Sequence, residues 1–123
     1  MTYFKKQTGE IGEQLAASYL ISLGYKVIDT NVVNRFGEID LIVQKKKELH
    51  FVEIRTRHTR LYGTALESID YLKINKIMLV AEALLFQNRK KWKALIPFIS
   101  VVAIDYDREG VPQLEFLPDA YGL

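Results

Sequence analysis

Gly37-Glu38-Ile39-Asp40-Leu41-Ile42-Val43-Gln44, then Lys45-Lys46-Lys47-Glu48, then Leu49-His50-Phe51-Val52-Glu53-Ile54-Arg55-Thr56 is the stretch from which the fold can be read. Both flanks alternate between polar and apolar residues, as strands with one buried face do, and the charged segment between them interrupts the pattern as a turn. The pattern predicts a β-hairpin. With Lys45 to Glu48 as a four-residue loop, Gln44 faces Leu49, and counting back brings Asp40 opposite Glu53, Glu38 opposite Arg55 and Phe36 near Arg57. One face carries Ile39, Leu41, Val43, Val52 and Ile54. The other is polar around Asp40 and Glu53 and becomes apolar at Ile42 and Phe51, toward the loop.

Directly opposed residues in such a pair have Cβ atoms roughly 4.5–5.5 Å apart, and two carboxylates at that spacing repel unless a proton or cation lies between them. Hard divalent cations take carboxylate oxygens and retain waters, so the pair suits a metal. The same face also accommodates ordinary Glu38–Arg55 and Asp40–Arg57 ion pairs in solvent. Both readings stand at this level.

Working outward, Thr8 is placed to cap a helix that begins near Gly9, with Glu10 and Glu13 in its first turns and Gly24 as its stop. Ile11, Leu15 and Tyr19, with Ala16, Leu20 and Leu23 alongside, recur at helical spacing. Tyr25 to Val33 is rich in β-branched residues and reads as a strand, and Asn34 to Gly37 as a turn. Beyond the hairpin, Ala65 to about Asn88 reads as a long helix with a break near Asp70-Tyr71. From Ile77 to Phe86 that helix is apolar nearly all round, so it is either deeply buried or lends one side to a partner. Phe98 to Tyr106 reads as a strand covered on both faces, Asp107 to Gly110 as a turn, and Gln113 to Leu117 as a last strand. The predicted order is αβββαββ, an α/β fold in which helices flank a central mixed sheet.

The 123 residues are enough for one domain spanning 1–123. With no cysteine and two histidines, His50 and His58, any metal must rest mainly on oxygen ligands. No apolar run approaches the roughly 18 residues of a membrane span, and the N-terminus lacks the apolar region of a signal peptide, so a soluble, cytoplasmic protein is expected. The net charge of +2 does not by itself indicate a nucleic-acid partner. The distribution is more informative. Arg55, Arg57, His58 and Arg60 cluster in one stretch, and Arg89, Lys90, Lys91 and Lys93 surround Trp92, which reads equally as a nucleic-acid contact and as an anchor for the turn after the helix.

An acid, about a dozen residues, and then Glu-x-Lys on the next strand is the PD-(D/E)xK nuclease pattern, present here as Asp40 and then Glu53-Ile54-Arg55. Gly9-Glu10-Ile11-Gly12-Glu13 with Ala16-Ala17, Gly24-Tyr25, Asn31, Gly37-Glu38-Ile39-Asp40-Leu41-Ile42, Phe51-Val52-Glu53 and Thr56-Arg57 follow in order. Together they resemble the YraN-like family of small bacterial proteins, related to archaeal Holliday junction resolvases. The resemblance runs from about Gly9 to Tyr106. It implies a restriction-endonuclease-like fold, in which Glu13 joins Asp40 and Glu53 to bind Mg²⁺ (or Mn²⁺), and a homodimer that cuts phosphodiesters in DNA, including branched DNA.

The departure is Arg55, which stands where the family pattern has lysine. Arginine can stabilise a pentavalent phosphate but does not readily act as a base, so metal binding can persist while cleavage weakens. Arg57 or Lys73 is the candidate replacement cation. Arg57, Arg60, Tyr62 and Lys73 are the candidate nucleic-acid contacts, Tyr62 by stacking on an unpaired base. Three readings follow: a Mg²⁺-dependent, structure-selective DNA endonuclease; a nucleic-acid-binding module that cleaves little or not at all; or a dimeric structural or adaptor protein on a nuclease scaffold, which the apolar long helix supports.

Overall fold

The computed structural model describes residues 2–59, 61, 63–68 and 71–120 and, for residues 2–8 and 71, the backbone alone. Its elements are α1 (Thr2–Ser22), β1 (Lys26–Asn34), β2 (Gly37–Lys45), β3 (Glu48–Arg57), a 3₁₀ turn (Leu66–Ser68), α2 (Tyr71–Gln87), β4 (Ile96–Tyr106) and β5 (Pro112–Leu117). This is the αβββαββ order read from the sequence. The five strands form one sheet in the order β1-β2-β3-β4-β5, antiparallel except for the β3–β4 pair. A parallel pair cannot be closed by a tight turn, and α2 supplies the crossover.

The helices cover opposite faces, giving the three-layer α/β architecture. Ala16 and Leu20 of α1 pack on Leu41, Val43, Val52, Val102 and Ile104. Ile77, Val80, Ala81 and Leu84 of α2 pack on Ile42, Leu49, Phe51 and Ile99. Trp92 closes that second cluster, its ring 6.1 Å from Phe51, so it is the anchor of the turn after α2 and not a surface contact. No helix among the described residues is long and apolar enough to cross a membrane.

Several local expectations change. α1 starts at Thr2, which puts Thr8 inside the helix and not at its cap. Its buried row is Gly12, Ala16 and Leu20, one position over from Ile11, which is exposed. Small residues explain the shift: a Cβ at Gly12 would lie 3.2 Å from Thr56 Oγ1, so glycine lets the helix sit directly on the end of β3. Gly24 does stop α1. At φ +96° it lets the amide of Gly24 reach the carbonyl of Ile21 and that of Tyr25 reach Leu20, the paired bonds of a Schellman cap.

The hairpin register is the predicted one, Gln44↔Leu49, but Lys45 and Glu48 also pair, so the loop is only Lys46-Lys47 with Lys46 at φ 55°. Ile39 packs with the α2-side cluster, whereas Leu41 packs under α1. Strict alternation puts both on one face, so β2 changes its facing between these residues. Asp40 lies at that change.

Candidate functional site

The β2–β3 ladder ends at Leu41↔Val52, although β1 follows β2 on to Asn34↔Gly37 and β4 follows β3 on to Arg57↔Asp105. The sheet therefore forks. Asp40 and Glu53 are the first residues past the last rung, in the register that the hairpin count predicts but no longer a ladder pair. Asp40 Oδ2 accepts the Ile54 amide at 2.8 Å and so caps a backbone donor at the fork. Open clefts lie on both sides. One, of about 390 Å³ on the α1 side, is lined by residues including Gly12, Glu13, Asn31, Glu38 and Asp40. The other, of about 500 Å³ on the α2 side, is lined by residues including Glu38, Asp40, Glu53, Leu72, Lys73 and Lys76. Glu38 and Asp40 border both.

Removal from water pushes the Asp40 carboxyl up from 3.8 to about 6, assisted by the negative charges of Glu53 and Glu38 and opposed by the Ile54 amide and Lys73. Glu53 is 4% exposed, and among the described residues neither of its carboxylate oxygens accepts a hydrogen bond. Lys73 Nζ approaches Oε1 to 3.1 Å and Arg55 Nη1 to 3.6 Å, charge contacts without hydrogen-bond geometry. Buried polar groups are normally satisfied, because an unmade bond costs about 1–3 kcal/mol. Oε1 thus has charge partners but no hydrogen bond, and Oε2 has neither among the described residues, which leaves capacity for a further donor or cation.

Arg55 does not face Glu38. Its Nε and Nη2 donate to the hydroxyl and carbonyl oxygens of Ser68, at 3.0 and 2.8 Å, which ties the end of β3 to the 3₁₀ turn. The cation nearest Glu53 is instead Lys73, from the first turn of α2. Glu13 lines the α1-side cleft with Asp40, but both its oxygens accept from Asn31 Nδ2, at 2.9 and 2.8 Å. The ligand trio implied by the resemblance is therefore not assembled: among the described residues, no three His, Cys, Asp or Glu side chains are grouped to hold a metal ion. Asn31, at φ 49°, is the residue that diverts Glu13. Its place in the resemblance motif was visible in sequence, but the contact depends on β1 crossing beneath α1.

Arg57 ends β3 outside the residues lining either cleft. Arg60 and Tyr62 lie outside the described residues. His58, before them, stacks on Tyr106 at 4.5 Å. Sequence reasoning assigned no site role to Asn31 or Ser68, whose partners lie on other elements, or to Lys76, which lines the α2-side cleft.

A family model described as "Uncharacterised protein family UPF0102" matches residues 12–104. UPF0102 proteins from several bacteria are similar along almost their whole length. That of Dehalococcoides mccartyi is 37% identical over 123 residues, covering 99% of this chain and 98% of the relative. That of Rhodococcus opacus is 38% identical over 113 residues, 92% and 94%. That of Caldicellulosiruptor bescii is 37% identical over 117 residues, 94% and 98%.

Proposed function

The chain belongs to the UPF0102 family, and on that premise we propose that it is a Mg²⁺- or Mn²⁺-dependent, structure-selective DNA endonuclease, a resolvase-like homodimer hydrolysing phosphodiesters at the β2–β3 fork. The observation that carries this reading is Glu53, buried with two unbonded carboxylate oxygens beside Asp40 and 3.1 Å from Lys73. Such a buried acid weakens the fold unless something binds there. Asp40 and Glu53 supply the oxygen donors, and one or two carboxylates plus retained water and substrate oxygens are what Mg²⁺ ordinarily takes. The cation, when bound, supplies positive charge at the phosphate and acidifies water.

The protein's own residues have separable tasks. Asp40 stays fixed by the Ile54 amide and presents its other oxygen to the clefts. Lys73 brings an ammonium to Glu53, and there it stabilises charge building on a phosphate. Arg55, held by Ser68, positions the strand end and does not replace that lysine.

Incubation with branched, single-stranded and linear duplex DNA under Mg²⁺ or Mn²⁺ tests the proposal. Cutting that is lost in Asp40→Asn, Glu53→Gln and Lys73→Ala supports it. Tight, salt-sensitive binding without cutting, including by Arg55→Lys, replaces it with the binding-module reading, and neither binding nor cutting defeats both.

A further inference from the structure

The outer side of α2 carries Leu72, Leu79 and Phe86, which are 76%, 46% and 67% exposed. Scattered surface hydrophobics need no explanation, but these three are spaced seven residues apart on one helix. At 1.5 Å rise per residue they form a seam about 20 Å long, drifting only about 20° per heptad. The buried side of α2 is already spent on Ile77, Val80, Ala81 and Leu84. The seam is a second apolar face of the same helix.

We propose that this seam is a homodimer interface, in which α2 packs antiparallel on α2 of a second copy about a two-fold axis at Leu79. The occupant follows from self-complementarity. An antiparallel pair centred on Leu79 matches positions equidistant from it: Leu72 meets Phe86 of the other copy, Leu79 meets itself, and Lys76 comes level with the other copy's Glu82. Both Lys76 and Glu82 are exposed, and the charges are opposite. A parallel pairing would set Lys76 beside Lys76 and Glu82 beside Glu82. The isologous, antiparallel arrangement is the one that satisfies apolar and charged positions together.

The seam also meets the candidate site, because Leu72 lines the α2-side cleft together with Lys73 and Lys76. Antiparallel pairing then places the two copies of Leu72, and with them the two clefts, about 20 Å apart along the seam. The proposal rests on the dimeric part of the functional reading and not on its chemistry. With only three apolar residues per copy the seam is smaller than a standard interface, so a dissociation constant of about micromolar order is expected.

Sedimentation of the full chain without DNA or metal, over a concentration series, tests it. Wild type is expected to dimerise, and Leu79→Glu, which opposes two charges at the axis, to raise the dissociation constant about 100-fold or more. Lys76→Glu and Glu82→Lys should each weaken association, and the double swap should restore it, which a variant that merely misfolds cannot do. Circular dichroism checks that each variant keeps its fold. A wild type that remains monomeric through the series, a dimer indifferent to Leu79→Glu, or a double swap that fails to restore association overturns the proposal. A monomeric wild type also removes the homodimer from the functional reading, whereas a dimer indifferent to Leu79→Glu or an unrestored double swap removes only this interface; none of these outcomes bears on cleavage.

Discussion

His50 and Glu53 stand three residues apart on the same strand, and both side chains are buried, but their surroundings are opposite. His50 has a polar partner at each ring nitrogen, Ser100 Oγ at 2.7 Å from Nδ1 and Glu48 Oε1 at 2.9 Å from Nε2, and its ring stacks on Phe98. The Ser100 hydroxyl donates a hydrogen bond to the Pro118 carbonyl, so the network also fastens the chain after β5 to the sheet. Glu53 has charge contacts on one oxygen and no hydrogen bond on either. A satisfied polar group in a core specifies structure, whereas an unsatisfied one lowers stability and is retained where something must bind. His50 sits beside the closed end of the hairpin and Glu53 at the open fork.

The largest expected effect breaks the structural half of that contrast. His50→Ala removes a fully buried ring and its hydrogen bond to Ser100, which keeps only its bond to Pro118, and should cost about 3 kcal/mol in denaturant unfolding. A loss below about 1 kcal/mol would mean that the network contributes little.

Asp40 is next, through pH. Its folded pKa of about 6 lies above the ordinary 3.8, so the folded protein binds the proton more tightly than the unfolded chain. The associated stability is fully present below about pH 4 and is lost as pH rises through 6, a change on the order of 2 kcal/mol. Melting curves of metal-free protein between pH 4 and 7 should show that slope, and Asp40→Asn should flatten it.

Glu53→Gln runs against the usual direction of a core mutation. It removes a buried charge whose oxygens are unbonded, so the metal-free protein should be as stable as wild type or gain about 1 kcal/mol. If the metal-dependent reading holds, Mg²⁺ or Mn²⁺ should raise the melting temperature of wild type and not that of Glu53→Gln. A clear loss of stability would show that Lys73 and Arg55 already satisfy Glu53, and would remove the contrast with His50.

The smallest effect belongs to Ser68. Ser68→Ala removes the hydroxyl that accepts from Arg55 Nε but leaves the backbone carbonyl on Nη2. It should cost roughly 0.5–1.5 kcal/mol and free the guanidinium toward Glu53. If the proposed cleavage holds, enhanced cutting in that variant would identify the Ser68 clamp as a restraint on Arg55.

How much of this was legible along the chain depended on the range of each interaction. The strand period of two and a tight loop located the hairpin and its register, and Gly24 marked the end of α1, because these are local constraints of backbone geometry. The acids at Asp40 and Glu53 were likewise located by counting. The loop came out two residues too long, since nothing local distinguishes a paired Lys45–Glu48 from a loop pair. Periodicity alone places Ile11 in the core, because it does not show that Gly12 and Ala16 let the helix settle one position over.

By itself, then, the sequence determined the element order, the hairpin register and the place of Asp40 and Glu53 just past its last paired rung, all consequences of short-range periodicity and turn chemistry. The tertiary structure alone decided that β2 leaves β3 at Leu41, that Asn31 takes Glu13, that Ser68 takes Arg55 and that Lys73 reaches Glu53. Each is a choice among several oppositely charged or hydrogen-bonding partners, made by where separate elements lie when the two helices close on the sheet. Such competition has no signature in the spacing of residues along one strand.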